Sequence, residues 1–160
     1  MPRKNKKLPR HLLVIRTSAM GDVAMLPHAL RALKEAYPEV KVTVATKSLF
    51  HPFFEGVDVG FLDIETRRTH RGIRGAIRFA REAAELKIDA VADMHNVLRS
   101  KMVRAALHLR GIPVSVIHKG RIEKYMRLGR GSEGVKPLKH TVIRYCDVFR
   151  RLGFDFPDPR

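Results

Sequence analysis

Apolar side chains along this chain fall into short blocks of two kinds. From His11 to Arg16 the residues Leu12, Leu13, Val14 and Ile15 run together, which predicts a buried strand. Thr17 to Asp22 is a turn of small and polar residues around Gly21. Leu26, Leu30, Leu33 and Tyr37 then recur at helical spacing, and Pro38 ends that helix. Lys41 to Thr46 sets Val42 and Val44 between polar neighbours, a second strand. An irregular piece with Pro52 and Gly56 leads to a third strand, Val59 to Ile64. After an arginine-rich loop, Thr66 to Gly75, the residues Ile73, Ile77, Ala80 and Ala84 mark the next helix. Asp89 to Asp93 reads as a fourth strand. Leu98 to Leu109 reads as a helix closed by Gly111 and Pro113, and Val114 to Ile117 as a fifth strand. Arg121 to Leu128 suggests a short basic helix and Gly129 to Pro137 a loop. Val142, Tyr145, Phe149 and Leu152 form the apolar face of a last helix, which Gly153 stops.

Strand and helix alternate throughout. The pattern predicts an α/β domain: a mostly parallel, Rossmann-like sheet with helices on both faces. Its expected bounds are residues 11–153, after a basic, flexible tail (1–10) and before a Pro-containing stretch (154–160) that reads as the start of a linker.

Composition narrows the class. A chain of 160 residues, 44% hydrophobic and 30% charged, is one domain with a core, neither disordered nor built for a bilayer. The apolar run after the basic start is too short for a membrane span or an export signal. Cys146 is the only cysteine, which excludes an internal disulfide and a cysteine-rich zinc site and fits a reducing, cytoplasmic setting. The formal charge is +16, and it is uneven: residues 67–160 carry 22 basic and 9 acidic side chains, residues 1–66 only 10 and 7. Such a surface seeks anions, whether nucleic acid, acidic lipid head groups or a phosphorylated substrate.

Most motif matches dissolve on inspection. Gly129, Gly131 and Gly134 fit a dinucleotide fingerprint by spacing, but no strand precedes them, and Pro137 follows shortly where a helix should open. There is no P-loop triplet and no Asp-x-Asp. Asp63 and Glu65 are the nearest imitation and read as a charged strand end. The eight His show no metal-ligand spacing. The first loop is more informative, because ligands of open parallel sheets sit beyond the carboxyl ends of the strands. Asp22 there either caps the following helix or hangs free facing the crevice. The second follows if the helix begins nearer Leu26, so that Pro27 lies in its first turn.

The stretch from His11 through Thr17, Ser18, Met20, Gly21 and Asp22 to Val23, followed by Leu26, Pro27 and Leu30 to Leu33, resembles the opening of glycosyltransferase family 9. These enzymes are ADP-heptose:lipopolysaccharide heptosyltransferases. Asp89 to Ser100, the Arg67 to Arg74 loop, His140 to Tyr145 and Phe149 to Phe154 fit the same family, so the resemblance covers nearly the whole chain. It implies the GT-B arrangement of two Rossmann-like domains, of which this sequence looks like the N-terminal, acceptor-side half. The ADP-heptose donor would be bound mainly by a C-terminal domain absent from this sequence. The fragment alone is therefore expected to fold but not to transfer sugar.

The resemblance also implies roles. Asp22 would be the catalytic base, taking the acceptor hydroxyl proton in an inverting transfer. Thr17, Ser18, Met20 and Gly21 would meet the acceptor, with Gly21 allowing close backbone approach. Arg67, Arg68, Arg71 and Arg74 would bind carboxylates and phosphates of the lipopolysaccharide inner core; otherwise they are a solvated charged surface. His95 and Asn96 would orient sugar hydroxyls or simply close a turn, and Arg99 and Ser100 would face the same crevice. No cofactor and no metal is implied, and the expected place is the cytoplasm, with peripheral contact at the inner membrane. The competing reading is a basic Rossmann-like module that binds nucleic acid or other anions without catalysis. An aromatic content of 7%, no Trp and no stacking motif among the arginines argue against nucleic acid. The missing glycine fingerprint argues against a nucleotide-binding regulatory domain.

Overall fold

Alternate residues of the first strand enter different cores, and that alternation sets the architecture. Leu12 and Val14 join one cluster of buried side chains, Leu13 and Ile15 a second on the opposite face of the sheet. The computed structural model describes residues 7–65, 67–118 and 139–159. Its elements are β1 (His11–Ile15), α1 (Met20–Ala36), β2 (Lys41–Thr46), a 3₁₀ segment (Ser48–Phe54), β3 (Gly60–Asp63), α2 (Gly72–Glu85), β4 (Ala90–Asp93), α3 (Leu98–His108), β5 (Val114–Val116) and α4 (Thr141–Arg151).

All four strand pairings are parallel, in the order β3-β2-β1-β4-β5. The expected Rossmann-like sheet is thus present. β1 pairs with β2 from His11 opposite Lys41 to Ile15 opposite Ala45, and with β4 from Leu12 opposite Ala90 to Ile15 opposite Asp93. Helices α1 and α4 cover one face through Leu26, Leu30, Leu33, Tyr145 and Phe149, all fully buried. Helices α2 and α3 cover the other through Ala76, Phe79, Ala80, Val103 and Leu107. Strand order reverses at β1, so the carboxyl ends of β1 and β4 flank the crevice where open α/β sheets bind ligands.

Two expectations need correction. Helix α1 does not begin near Leu26: it starts at Met20 after Ala19 and carries Pro27 in its interior. Proline removes one main-chain donor there, yet Pro27 is buried among the residues that face the core, so packing outweighs that loss. Asp22 consequently neither caps the helix nor hangs in a loop; it lies in the first turn. The buried face of α2 also differs. Ile73 and Ile77 are 68% and 49% exposed, whereas Ala80 is buried and Ala84 packs against the core as expected, and Gly75, Ala76, Phe79 and Ala83 complete the buried face.

The segment after Gly153 is packed down as far as Phe156. Phe154 and Phe156 are buried, and the Tyr37 hydroxyl bonds main-chain groups of Asp155. The basic helix expected at Arg121 to Leu128, the loop at Gly129 to Pro137 and the tail up to Lys6 lie outside the described residues. Among the described residues no helix is long and apolar enough to cross a membrane.

Candidate functional site

The loops after β1 and β4 meet at the strand-order reversal, and short polar contacts lock them together. Met94 N–H donates to Ile15 C=O at 3.0 Å, continuing the ladder one residue beyond β4. Thr17 Oγ1 lies 2.8 Å from His95 Nδ1, and Ser18 Oγ lies 3.1 Å from His95 Nε2, so both ring nitrogens are engaged by the first loop. Arg16 is buried; its guanidinium donates to Met94 C=O and pairs with the Asp22 carboxylate. The Asp22 side chain stays 43% exposed. An acidic side chain in the first turn also suits the helix dipole.

Under the β4 loop sits a fully buried carboxylate. Asp93 Oδ1 accepts the main-chain N–H groups of His95 and Asn96 at 2.9 and 2.8 Å, and Oδ2 accepts from Arg104 at 3.0 Å. Asn96 takes φ +48, a conformation Asn tolerates, and its side chain bonds Arg104 and Ile117 C=O. Ser100 Oγ accepts from Val97 N–H and is buried at the start of α3. Asn96 and Ser100 are therefore engaged in holding the loop, while His95 forms its inner wall.

A cavity of about 390 Å³ opens on the α2–α3 face of this junction. Thr17, Ser18, His95, Arg99 and Ser100 of the expected set line it, over an apolar floor that includes Ile15, Phe79 and Val103. A second cavity of about 480 Å³ lies beside it, lined by Leu49, Glu65, Arg67 and Arg68. Lys47 and Ile64 line both, so the two form one trough. Arg71 and Arg74 are exposed and line neither. Met20 is 62% exposed at the rim, next to Gly21, where an added Cβ would meet nothing within 4 Å. Asp22 is on the α1 side of the same sheet edge, across the Arg16 to Ser18 loop from the trough.

Two residues escaped the sequence reading. Lys47 follows β2 directly, a position that points to the carboxyl edge once the strand order is known. His70 is buried and carried no sequence signal at all. Its Nδ1 accepts from Glu65 N–H at 3.1 Å and its Nε2 donates to Glu82 Oε2 at 2.9 Å. Burial pushes the Glu82 carboxyl up, but hydrogen bonds from Arg78 and His70 outweigh it and hold the group below its ordinary range. Asp63, at the end of β3, pairs with His51 at 2.7 Å. Among the described residues no three His, Cys, Asp or Glu side chains gather as a metal site.

Solved structures share this architecture. A glycosyl transferase of family 9 from Veillonella parvula superposes with a TM-score of 0.65 at 17% identity, over 90% of this chain and 42% of the other. The E. coli heptosyltransferase WaaC with ADP-2-deoxy-2-fluoro heptose gives 0.63 at 23% identity, over 94% and 50%. The same enzyme with ADP gives 0.58 at 26% identity, over 92% and 49%. The fold is that of one half of a GT-B glycosyltransferase. The chain spans about half the length of the solved chains it matches. No family model matches the chain, and no curated protein does.

Proposed function

We propose that this chain is the N-terminal, acceptor-binding half of an inverting glycosyltransferase that moves heptose from ADP-heptose to the anionic inner core of lipopolysaccharide. The observation that carries the reading is the placement of Asp22. Its carboxylate stands at the strand-order reversal, oriented by a buried Arg16, and remains open to an incoming hydroxyl. Asp22 takes the proton of the acceptor hydroxyl as that oxygen attacks the anomeric carbon of the donor. The bond to the nucleoside diphosphate breaks on the opposite face of the sugar, which inverts the centre. Thr17 and Ser18, both held by His95, present their hydroxyl groups to the acceptor sugar. Lys47, Arg67 and Arg68 hold its carboxylates and phosphates along the trough. The apolar floor excludes water beside them. The donor is held by a second Rossmann-like half, and the basic surface keeps the enzyme at the anionic cytoplasmic face of the inner membrane, where a lipid-linked acceptor is reached.

The likeness to heptosyltransferases with bound ADP and ADP-2-deoxy-2-fluoro heptose supports this donor. A mass-spectrometric acceptor screen with ADP-heptose tests the reading on the protein joined to its donor half. The expected result is an acceptor heavier by one heptose. The 160-residue chain alone should bind the anionic acceptor without turnover. Turnover by this chain alone, or transfer to no anionic glycan by the joined protein, would overturn it.

A further inference from the structure

The turn that carries Arg67 and Arg68 is held from below, by a residue that the chemistry above does not use. His70 is 4% exposed and reaches in two directions. Toward its own turn, Nδ1 accepts from Glu65 N–H, while His70 N–H donates to Glu65 C=O at 3.0 Å. Because Nδ1 is the acceptor, the ring proton sits on Nε2 and is donated to Glu82 of α2. Thr69 Oγ1 adds a bond to Glu65 Oε2 at 3.0 Å, and the Phe79 ring meets the imidazole edge to face at 5.5 Å. Gly75 makes the approach possible: a Cβ there would lie 2.1 Å from the His70 carbonyl carbon and 2.6 Å from its Cα. The chain therefore comes to rest directly on the α2 backbone.

The same segment is the partition of the trough. His70 lines the inner cavity, Glu65, Arg67 and Arg68 line the outer one, and Ile64 belongs to both. We infer that His70 is a positioning residue: bonded to Glu65 and Glu82 and seated on Gly75, it latches the turn so that Arg67 and Arg68 are presented to an anionic ligand at a fixed height above α2. The anionic part of this inference rests on the function proposed above; the latch itself does not.

The test uses the 160-residue chain, with trypsin cleavage after Arg67 and Arg68 reporting the turn and inorganic pyrophosphate as the anionic probe. His70→Ala should raise cleavage at these two sites about tenfold, the effect of losing buried hydrogen bonds on a local opening equilibrium, and leave cleavage at other arginines unchanged. Pyrophosphate affinity should fall about threefold in the same variant, the smaller effect expected where only ligand presentation is lost. His70→Asn keeps an oxygen near Glu65 N–H and should recover part of both. If His70→Ala does not fold, Glu82→Leu removes the Nε2 partner together with the exposed Arg78–Glu82 pair, leaves the Nδ1 bond to Glu65 in place, and should give intermediate protection, with Arg78→Ala as the control for the exposed pair. Parental cleavage rates in a folded variant would overturn the latch. An equal rise at every site would do the same, because His70 would then serve global stability alone. Faster local cleavage with unchanged pyrophosphate affinity supports the latch and counts against Arg67 and Arg68 as anion ligands.

Discussion

The Tyr145 hydroxyl donates to the main-chain oxygen of Asp22 at 2.9 Å, across 123 residues of chain. This bond ties α4 to the first turn of α1, so the helix that closes the domain also supports the proposed base. Tyr145→Phe keeps the ring and removes the bond, and should cost about 1 kcal/mol. In the joined enzyme kcat should fall by less than about tenfold, because the base remains and only its support is weakened. Denaturant melts and steady-state kinetics on one variant check both.

Alkaline stability follows from the same helix. Burial pushes the Tyr145 hydroxyl from 10.0 up to about 12 and the Cys146 thiol from 9.0 up to about 11. The unfolded chain therefore releases these protons first as pH rises. The stability tied to the two neutral groups is complete below pH 9.0 and drains away up to about pH 12. Urea melts at increasing pH should show a fall that starts near pH 9.0. Tyr145→Phe should remove only the tyrosine share, which begins near pH 10.0, and leave the cysteine share, which ends near about pH 11. Unchanged stability up to about pH 11 would contradict the burial of both groups.

The arginines of the α2 approach should not act alike. Arg67 and Arg68 line the outer cavity, whereas Arg71 and Arg74 are exposed and line neither. Replacing Arg67 and Arg68 by Ser should weaken binding of an anionic acceptor about tenfold or more, with a loss that shrinks as salt rises. The corresponding change at Arg71 and Arg74 should have a smaller effect. Melting temperature should barely move in either, since exposed substitutions cost under about 0.5 kcal/mol. Equal losses from both pairs would mean a diffuse basic surface.

Asp93 should be the most expensive carboxylate to remove. It is fully buried, and its loss leaves the N–H groups of His95 and Asn96 without their acceptor and Arg104 without its counter-charge. Breaking one side of a buried pair costs roughly 3–5 kcal/mol, so Asp93→Ala should unfold far below the parent in a thermal melt. Asp93→Asn keeps an acceptor and should lose less.

The strands were legible because Leu12 to Ile15, Val42 with Val44 and Val91 leave little but a buried sheet to form. The alternation of elements then implied the parallel order. The face of α2 was legible only at Ala80 and Ala84. Large apolar residues draw attention to Ile73 and Ile77, yet this helix lies close against its neighbours through Gly75, Ala76 and Ala80, where small side chains permit the approach. The start of α1 was misplaced because proline's cost in a helix is local, whereas the packing that offsets it is tertiary. Asp22 was reached from the loop's position beyond β1, but its partner Arg16 was read only as the strand's end. Lys47 and His70 acquire meaning only from the strand order and from the seat on Gly75, neither of which one-dimensional spacing reveals.

The most direct test of the account is kcat for Asp22→Asn in the enzyme joined to its donor half. Asparagine preserves the shape and can still accept from Arg16, so the loss of stability should stay near about 1 kcal/mol. Acceptor affinity should be close to that of the parent. Losing the base should lower kcat by roughly two to four powers of ten. A parental kcat in Asp22→Asn would contradict the catalytic assignment and leave the Arg16–Asp22 pair as a brace for the first turn of α1.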